Sequence, residues 1–171
     1  MTLTLVLGGA RSGKSAHALE QAQDLAQADR ALVLIATAQP LDDEMAQRIA
    51  RHRAERGPRW RTVEAPLELA HALLALDSQD VAVVDCLTLW LTNIMLADLD
   101  VAQHIDALLG AATQTEADVF FVSNEVGLGI VPDNALARRF RDEAGRLNRL
   151  VAQRADGVSV LFAGLALKLK P

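Results

Sequence analysis

The chain is 171 residues long, 51% hydrophobic and 23% charged, which suits a soluble globular protein with room for one full core. Its net charge of −5 and pI near 5.3 argue against a general nucleic-acid binder, but not against a phosphate site, which needs only local positive charge. The single cysteine, Cys86, cannot close an intrachain disulfide, so a reducing cytoplasm is the expected compartment.

No basic residue precedes the first apolar run, so no secretory leader is expected. That run, residues 3–7, reads as a buried strand and leads directly into Gly8, Gly9, Ala10, Arg11, Ser12, Gly13, Lys14 and Ser15. These eight fit G-x-x-x-x-G-K-[ST], the phosphate-binding loop of many nucleotide-using enzymes. Helix formers follow over residues 16–22. An ordinary glycine turn would also join a strand to a helix, but strand, glycine loop and helix in this order are what phosphate binding needs. Glycines let backbone N–H groups wrap a phosphate, and the helix N-terminus adds a positive dipole. The pattern gives Lys14 to the β- and γ-phosphates and the Ser15 hydroxyl to Mg²⁺.

Residues 32–35 form a second buried strand that ends in Ala36, Thr37 and Ala38, beyond its carboxyl end, where ligands of parallel α/β sheets sit. Pro40 breaks the chain. Asp42, Asp43 and Glu44 then place acid in the first turn of a helix expected to run to Arg56, where Gly57 and Pro58 end it. On this helix Met45, Ile49 and His52 share one face. Spacing alone fits His52 better as a partly buried residue ending an apolar stripe than as a nucleophile or acid–base group. The flanking Arg48, Arg51, Arg53 and Arg56 fit either phosphate ligands or a solvated face.

Residues 60–64 form a short strand whose Glu64 is surface by pattern, with a ligand contact from the strand end as the other reading. A helix is expected over 67–76, after Pro66. Residues 81–84 are four small apolar residues closed by Asp85, the form of a buried strand that delivers a carboxylate towards Mg²⁺. Such runs are common, and it is the phosphate loop that gives this one weight. The apolar stretch over 81–96 is broken by Asp85, Thr88, Thr92 and Asn93, too short and too polar for a membrane span. Helices are expected over 87–96 and 101–113, and a strand over 119–122 with Ser123, Asn124 and Glu125 at its carboxyl end. A loop with Gly127, Gly129 and Pro132 leads to Asp133 or Asn134 as cap of a long helix to Ala155. A strand over 158–162 and an edge strand after Gly164 complete the series. Strands alternating with helices predict one α/β domain over 1–171: a phosphate-loop domain with a mainly parallel sheet flanked by helices.

Taken whole, the chain resembles the bifunctional adenosylcobinamide kinase/adenosylcobinamide-phosphate guanylyltransferase family of cobalamin biosynthesis. The resemblance runs essentially end to end. It rests on GGARSGKS from Gly8, LDDEMAQRIARHR from Leu41, WRTVEAP from Trp60, VDCLTLWLTN from Val84, SNEVGLGIVPDN from Ser123 and RFRDEAGRLNR from Arg139. It implies two reactions: ATP or GTP phosphorylates the aminopropanol hydroxyl of adenosylcobinamide, then GTP donates GMP to that phosphate through a guanylylated histidine. The histidine after RIAR is His52, so the resemblance reverses the reading that spacing favours. It also implies nucleotide contacts at the phosphate loop, at Ala36, Thr37 and Ala38, at Arg53, Ala54, Glu55 and Arg56, at Glu64 and at Asp85. Ser15 and Asp85 are the implied Mg²⁺ ligands, and a cytoplasmic homotrimer the implied assembly. Two departures stand out: the order Arg56-Gly57-Pro58 beside the histidine, and Ala166 where the family pattern has proline. Two other classes use the same loop. A plain small-molecule kinase needs no role for His52, and a nucleotide-driven switch needs no acceptor; acid-labile, base-stable label from GTP separates both from the two-step enzyme.

Overall fold

A computed structural model describes residues 1–26, 29–39 and 57–171. The helix expected over 42–56 lies outside them. The described elements are β1 (Leu3–Gly8), α1 (Lys14–Ala26), β2 (Ala31–Ala36), β3 (Trp60–Glu64), α2 (Leu69–Leu74), β4 (Asp80–Asp85), α3 (Leu87–Leu96), α4 (Val101–Gln114), β5 (Asp118–Asn124), α5 (Ala135–Arg154), β6 (Gly157–Phe162) and β7 (Leu165–Lys170). The strands form one seven-stranded sheet in the order β3-β2-β4-β5-β1-β6-β7. Neighbours are parallel except for the antiparallel pair β6–β7 at the edge.

Successive side chains of a strand point to opposite faces, and the central strands are apolar on both, so each face needs its own cover. Leu5, Val33, Ile35, Val84 and Phe121 pack into one cluster with Leu69 and Leu73 of α2, Trp90 and Leu91 of α3, Ile105 of α4 and Leu147 of α5. Val6, Leu32, Leu34, Val83 and Phe120 face the other way, onto Ala18, Ala22 and Ala26 of α1. Those alanines recur every fourth residue, so they form one stripe on α1, and their small side chains let the helix lie close to the sheet. Burying one such Leu, Ile or Phe contributes roughly 1.5–3 kcal/mol. Trp90 is buried as well, and its indole N–H donates to the Leu67 carbonyl at 2.8 Å, which meets the need of a buried indole.

One boundary differs from that expected, and one open choice of cap is decided. The helix expected over 67–76 is only Leu69–Leu74. The Leu67 carbonyl already receives Leu69 N–H and Trp90, while Leu76 N–H closes a tighter turn on Leu73, so neither end continues the helical ladder. Of the two possible caps for α5, Asn134 takes the role: its side chain accepts from Ala137 N–H at 3.1 Å.

Candidate active site

The phosphate-loop sequence is seated where β1 ends, between β5 and β6, with Gly8 in register with Asn124 on one side and Leu161 on the other. A Cβ at Gly8 would stand 2.4 Å from Ser12 Oγ and 3.0 Å from the Leu161 carbonyl, so the loop closes only around glycine there. Gly13 has φ +91°, a left-handed conformation that L side chains adopt at a cost. From the far side, Gly164 N–H donates to the Ser12 carbonyl at 3.1 Å and braces the loop.

Lys14 opens α1 and is only 9% exposed, so its ammonium acts in a poorly hydrated setting. Its Nζ donates to the Gly9 carbonyl at 3.1 Å, which folds the charge back over the loop. The first turn of α1 carries no acidic residue, so no local carboxylate offsets its dipole. The combination makes an anion site of the loop.

Ser15, next on α1, donates from Oγ to Asp85 Oδ1 at 3.2 Å, joining the loop to the end of β4. A hydroxyl and a carboxylate in contact are hard oxygen donors of the kind Mg²⁺ uses, and this ion takes few protein ligands beside phosphates and waters. Ser15 and Asp85 therefore fit such an ion. Among the described residues no group of three or more His, Cys, Asp or Glu forms a separate metal cluster.

Ala36 and Ala38 line the cavity that opens over this pair, but Thr37 between them turns inward. It is fully buried; its hydroxyl donates to the Cys86 carbonyl and accepts from Cys86 N–H, each at 2.8 Å. Asn93 Nδ2 donates to the Thr37 carbonyl at 2.8 Å and to that of Pro66 at 3.0 Å. Thr37 thus fastens the end of β2 to the β4–α3 junction and holds its two neighbours at the cavity. Glu64 is paired in register with Ala36, yet it is exposed and outside the cavity lining. His52, Arg53, Ala54, Glu55 and Arg56 lie outside the described residues.

The cavity measures about 540 Å³. Arg11, Lys14, Ser15, Asp85, Asn124 and Glu125 give it a polar side, and Leu34, Leu89, Val126 and Phe140 an apolar one. Asn124 ends β5 and donates from Nδ2 to Thr88 Oγ1 at 2.6 Å. Behind it, Ser123 Oγ donates to Asn148 Oδ1 at 2.6 Å, and Asn148 Nδ2 donates to the Asn124 carbonyl at 3.0 Å, tying the strand end to α5. Burial first, then the neighbouring Asp85 charge, pushes the Cys86 thiol above its ordinary value, so it is no thiolate nucleophile at neutral pH. Sequence reasoning missed Thr88 and Thr92 on the cavity wall, although two threonines four apart in an apolar helix were a readable signal. Phe140 gave a weaker one, a lone aromatic among arginines.

Among solved structures, the chain is similar in fold to the flagellar accessory protein FlaH from Methanocaldococcus jannaschii, with TM-score 0.55 and 13% identity, covering 99% of this chain and 78% of that one. It is similar in the same way to the ATPase domain of G40P, with TM-score 0.54 and 15% identity, covering 94% and 69%. Among the described residues, no helix is long and apolar enough to cross a membrane. Sequence similarity is far closer to the bifunctional adenosylcobalamin biosynthesis protein CobP of Pseudomonas aeruginosa, 47% identical over 171 aligned positions, covering 97% of this chain and 96% of that protein. The bifunctional adenosylcobalamin biosynthesis protein CobU of Salmonella typhimurium is 40% identical over 184 aligned positions, covering 98% and 99%. Residues 4–169 match the model of one protein family, and with these relatives the match shows that the chain belongs to the cobinamide kinase / cobinamide phosphate guanyltransferase family.

Proposed function

We propose that this chain phosphorylates the aminopropanol hydroxyl of adenosylcobinamide with ATP or GTP. It then moves GMP from GTP, through guanylylated His52, onto the resulting phosphate to give adenosyl-GDP-cobinamide. Family membership supports the pairing of the two activities. The observation that carries the nucleotide chemistry is the loop itself: a nearly buried Lys14 and the Ser15–Asp85 contact at the mouth of one cavity.

In the kinase step the loop N–H groups and the α1 N-terminus hold the β- and γ-phosphates, and Lys14 neutralises charge that builds on them. Mg²⁺, when bound, would be held by Ser15 and Asp85 and would offset the charge of the triphosphate. In the transferase step neutral imidazole, with an ordinary pKa of about 6.5, attacks the α-phosphorus; an N–P bond forms as the P–O bond to pyrophosphate breaks. The cobinamide phosphate then takes the GMP from His52. Splitting the transfer lets one nucleotide pocket serve two acceptors in turn. By the resemblance, Ala36, Ala38, Arg53, Ala54, Glu55, Arg56 and Glu64 complete the nucleotide contacts, with Thr37, buried between Ala36 and Ala38, acting by holding those two in place, and the working form is a cytoplasmic homotrimer.

The test is His52→Ala. It should still phosphorylate adenosylcobinamide at a reduced rate, because Lys14, Ser15 and Asp85 remain. It should form no covalent GMP adduct and no adenosyl-GDP-cobinamide. Mass spectrometry of the wild type after GTP should place a GMP-sized addition on the peptide containing His52. An adduct elsewhere, or an unchanged transferase in the variant, overturns the assignment.

A further inference from the structure

Transfer of a phosphoryl group to a hydroxyl releases a proton that needs an acceptor, and two carboxylates line the cavity, Asp85 and Glu125. Asp85 is held by the Ser15 hydroxyl and fits the metal. We propose that Glu125 is the base of the kinase step, taking the proton of the acceptor hydroxyl. This rests on the kinase reading above.

The backbone places Glu125 beside the phosphate loop, since its N–H donates to the carbonyl of Gly8, where the loop begins, at 3.1 Å. Its side chain is aimed by a neighbour. Gly127 N–H donates to Oε1 at 2.5 Å, the one hydrogen bond that the carboxylate receives among the described residues. A Cβ at Gly127 would stand 2.8 Å from that Oε1, so glycine at 127 is what the carboxylate position demands. Arg141 of α5 in turn donates from Nη2 to the Gly127 carbonyl at 2.7 Å. Helix, loop glycine and carboxylate thus form a clamp that fixes one oxygen of Glu125, a residue that lines the same cavity as Lys14 and Ser15.

The step balances simply. The O–H bond of the acceptor breaks and its proton goes to Glu125. The acceptor oxygen bonds the γ-phosphorus, and the bond from that phosphorus to the β-phosphate oxygen breaks, releasing nucleoside diphosphate. Glu125 then returns the proton to water. Guanylylation of His52 involves no acceptor hydroxyl, so it should not need Glu125. This difference makes the proposal testable within one protein.

Glu125→Gln keeps the size and the acceptor oxygen for Gly127 N–H but takes no proton. Its kinase kcat should fall by about a hundredfold or more, the usual range for removing a general base. The nucleotide KM and the rate of covalent labelling by GTP should stay at wild-type values. Glu125→Asp should recover part of the kinase rate, and Gly127→Ala should show the same selective loss by displacing the carboxylate. Kinase turnover of Glu125→Gln equal to wild type overturns the proposal, as does an equal loss of kinase and labelling. A wild type that labels with GTP but never phosphorylates adenosylcobinamide removes the kinase reading itself, and the proposal with it.

Discussion

The two ends of the same parallel sheet use similar residues for opposite purposes. At the amino ends, Asp118 accepts from Thr2 Oγ1 at 2.5 Å and from Arg30 Nη1 at 2.6 Å, and Asp80 meets Arg61 at 3.3 Å. Asp156 accepts Leu3 N–H at 2.8 Å, so it too is met from the strand it stands beside. Each carboxylate there is matched by a donor, and the contacts tie strand starts to one another. At the carboxyl ends, Asp85, Asn124 and Glu125 face a cavity, opposite a lysine and a helix N-terminus with no acid in its first turn. A carboxylate at a strand end is therefore not functional by type. What decides is whether the surroundings close on it or leave space in front of it, and ligands of parallel α/β sheets sit beyond the carboxyl ends of the strands.

Breaking the carboxyl end should stop chemistry and leave the fold alone. Lys14→Ala should lower both kinase and guanylyl-transfer rates by about a hundredfold or more, the usual cost of one electrostatic contact to the transition state. Thermal unfolding of that variant should stay close to wild type; wild-type turnover would show that this loop is not the phosphate site. Asp85→Asn should have a smaller effect, moving the Mg²⁺ dependence of both activities to higher concentration. Its amide oxygen can still accept from Ser15, so the fold should hold. Superimposable Mg²⁺ titrations would leave Asp85 with a purely structural role.

Breaking the amino end should do the reverse. Asp118→Asn should cost about 1.5–3 kcal/mol of stability at neutral pH, the range for hydrogen bonds to a charged group, with both activities unchanged in folded protein. Burial raises the Asp118 carboxyl, but the bonds from Thr2 and Arg30 outweigh it and hold the group below its ordinary 3.8. A lowered folded value gives stability that is complete above the ordinary value and is lost as pH falls through the folded one. Denaturant curves of wild type and variant should therefore converge in that acid window. A constant gap down through it would mean the charge on Asp118 contributes nothing.

The carboxyl-end machinery was largely readable from sequence because its signals are local. Gly8 to Ser15 is one contiguous pattern between a strand and a helix, and Asp85 closes an apolar run that only a buried strand explains. Thr37 was less readable. Its place at a strand end suggested a ligand contact, but its hydroxyl is taken up by Cys86 and its carbonyl by Asn93, partners that no local pattern connects to it. The choice of Asn134 over Asp133 as cap turns on backbone angles that both residues permit. Helical spacing could not decide the role of His52, because a face shared with Met45 and Ile49 looks alike whether the imidazole is packed or reactive. Gly127 carried a readable glycine but not its reason, since that reason is a carboxylate two residues earlier folding back on its N–H.

The seating of β1 has a consequence for synthesis. The strand that carries the phosphate loop is flanked by β5 and β6, which begin at Asp118 and Gly157, and the loop is braced by Gly164. A nascent chain grown only as far as Leu96 contains the whole loop and its helix, yet lacks both strands that hold them in place. Contacts between such distant parts of the chain form late, because closing the long connection costs entropy before any pairing returns it. An element synthesised ahead of the strands that hold it is thus among the last to take shape, and nucleotide capture reports on the assembly of the whole sheet.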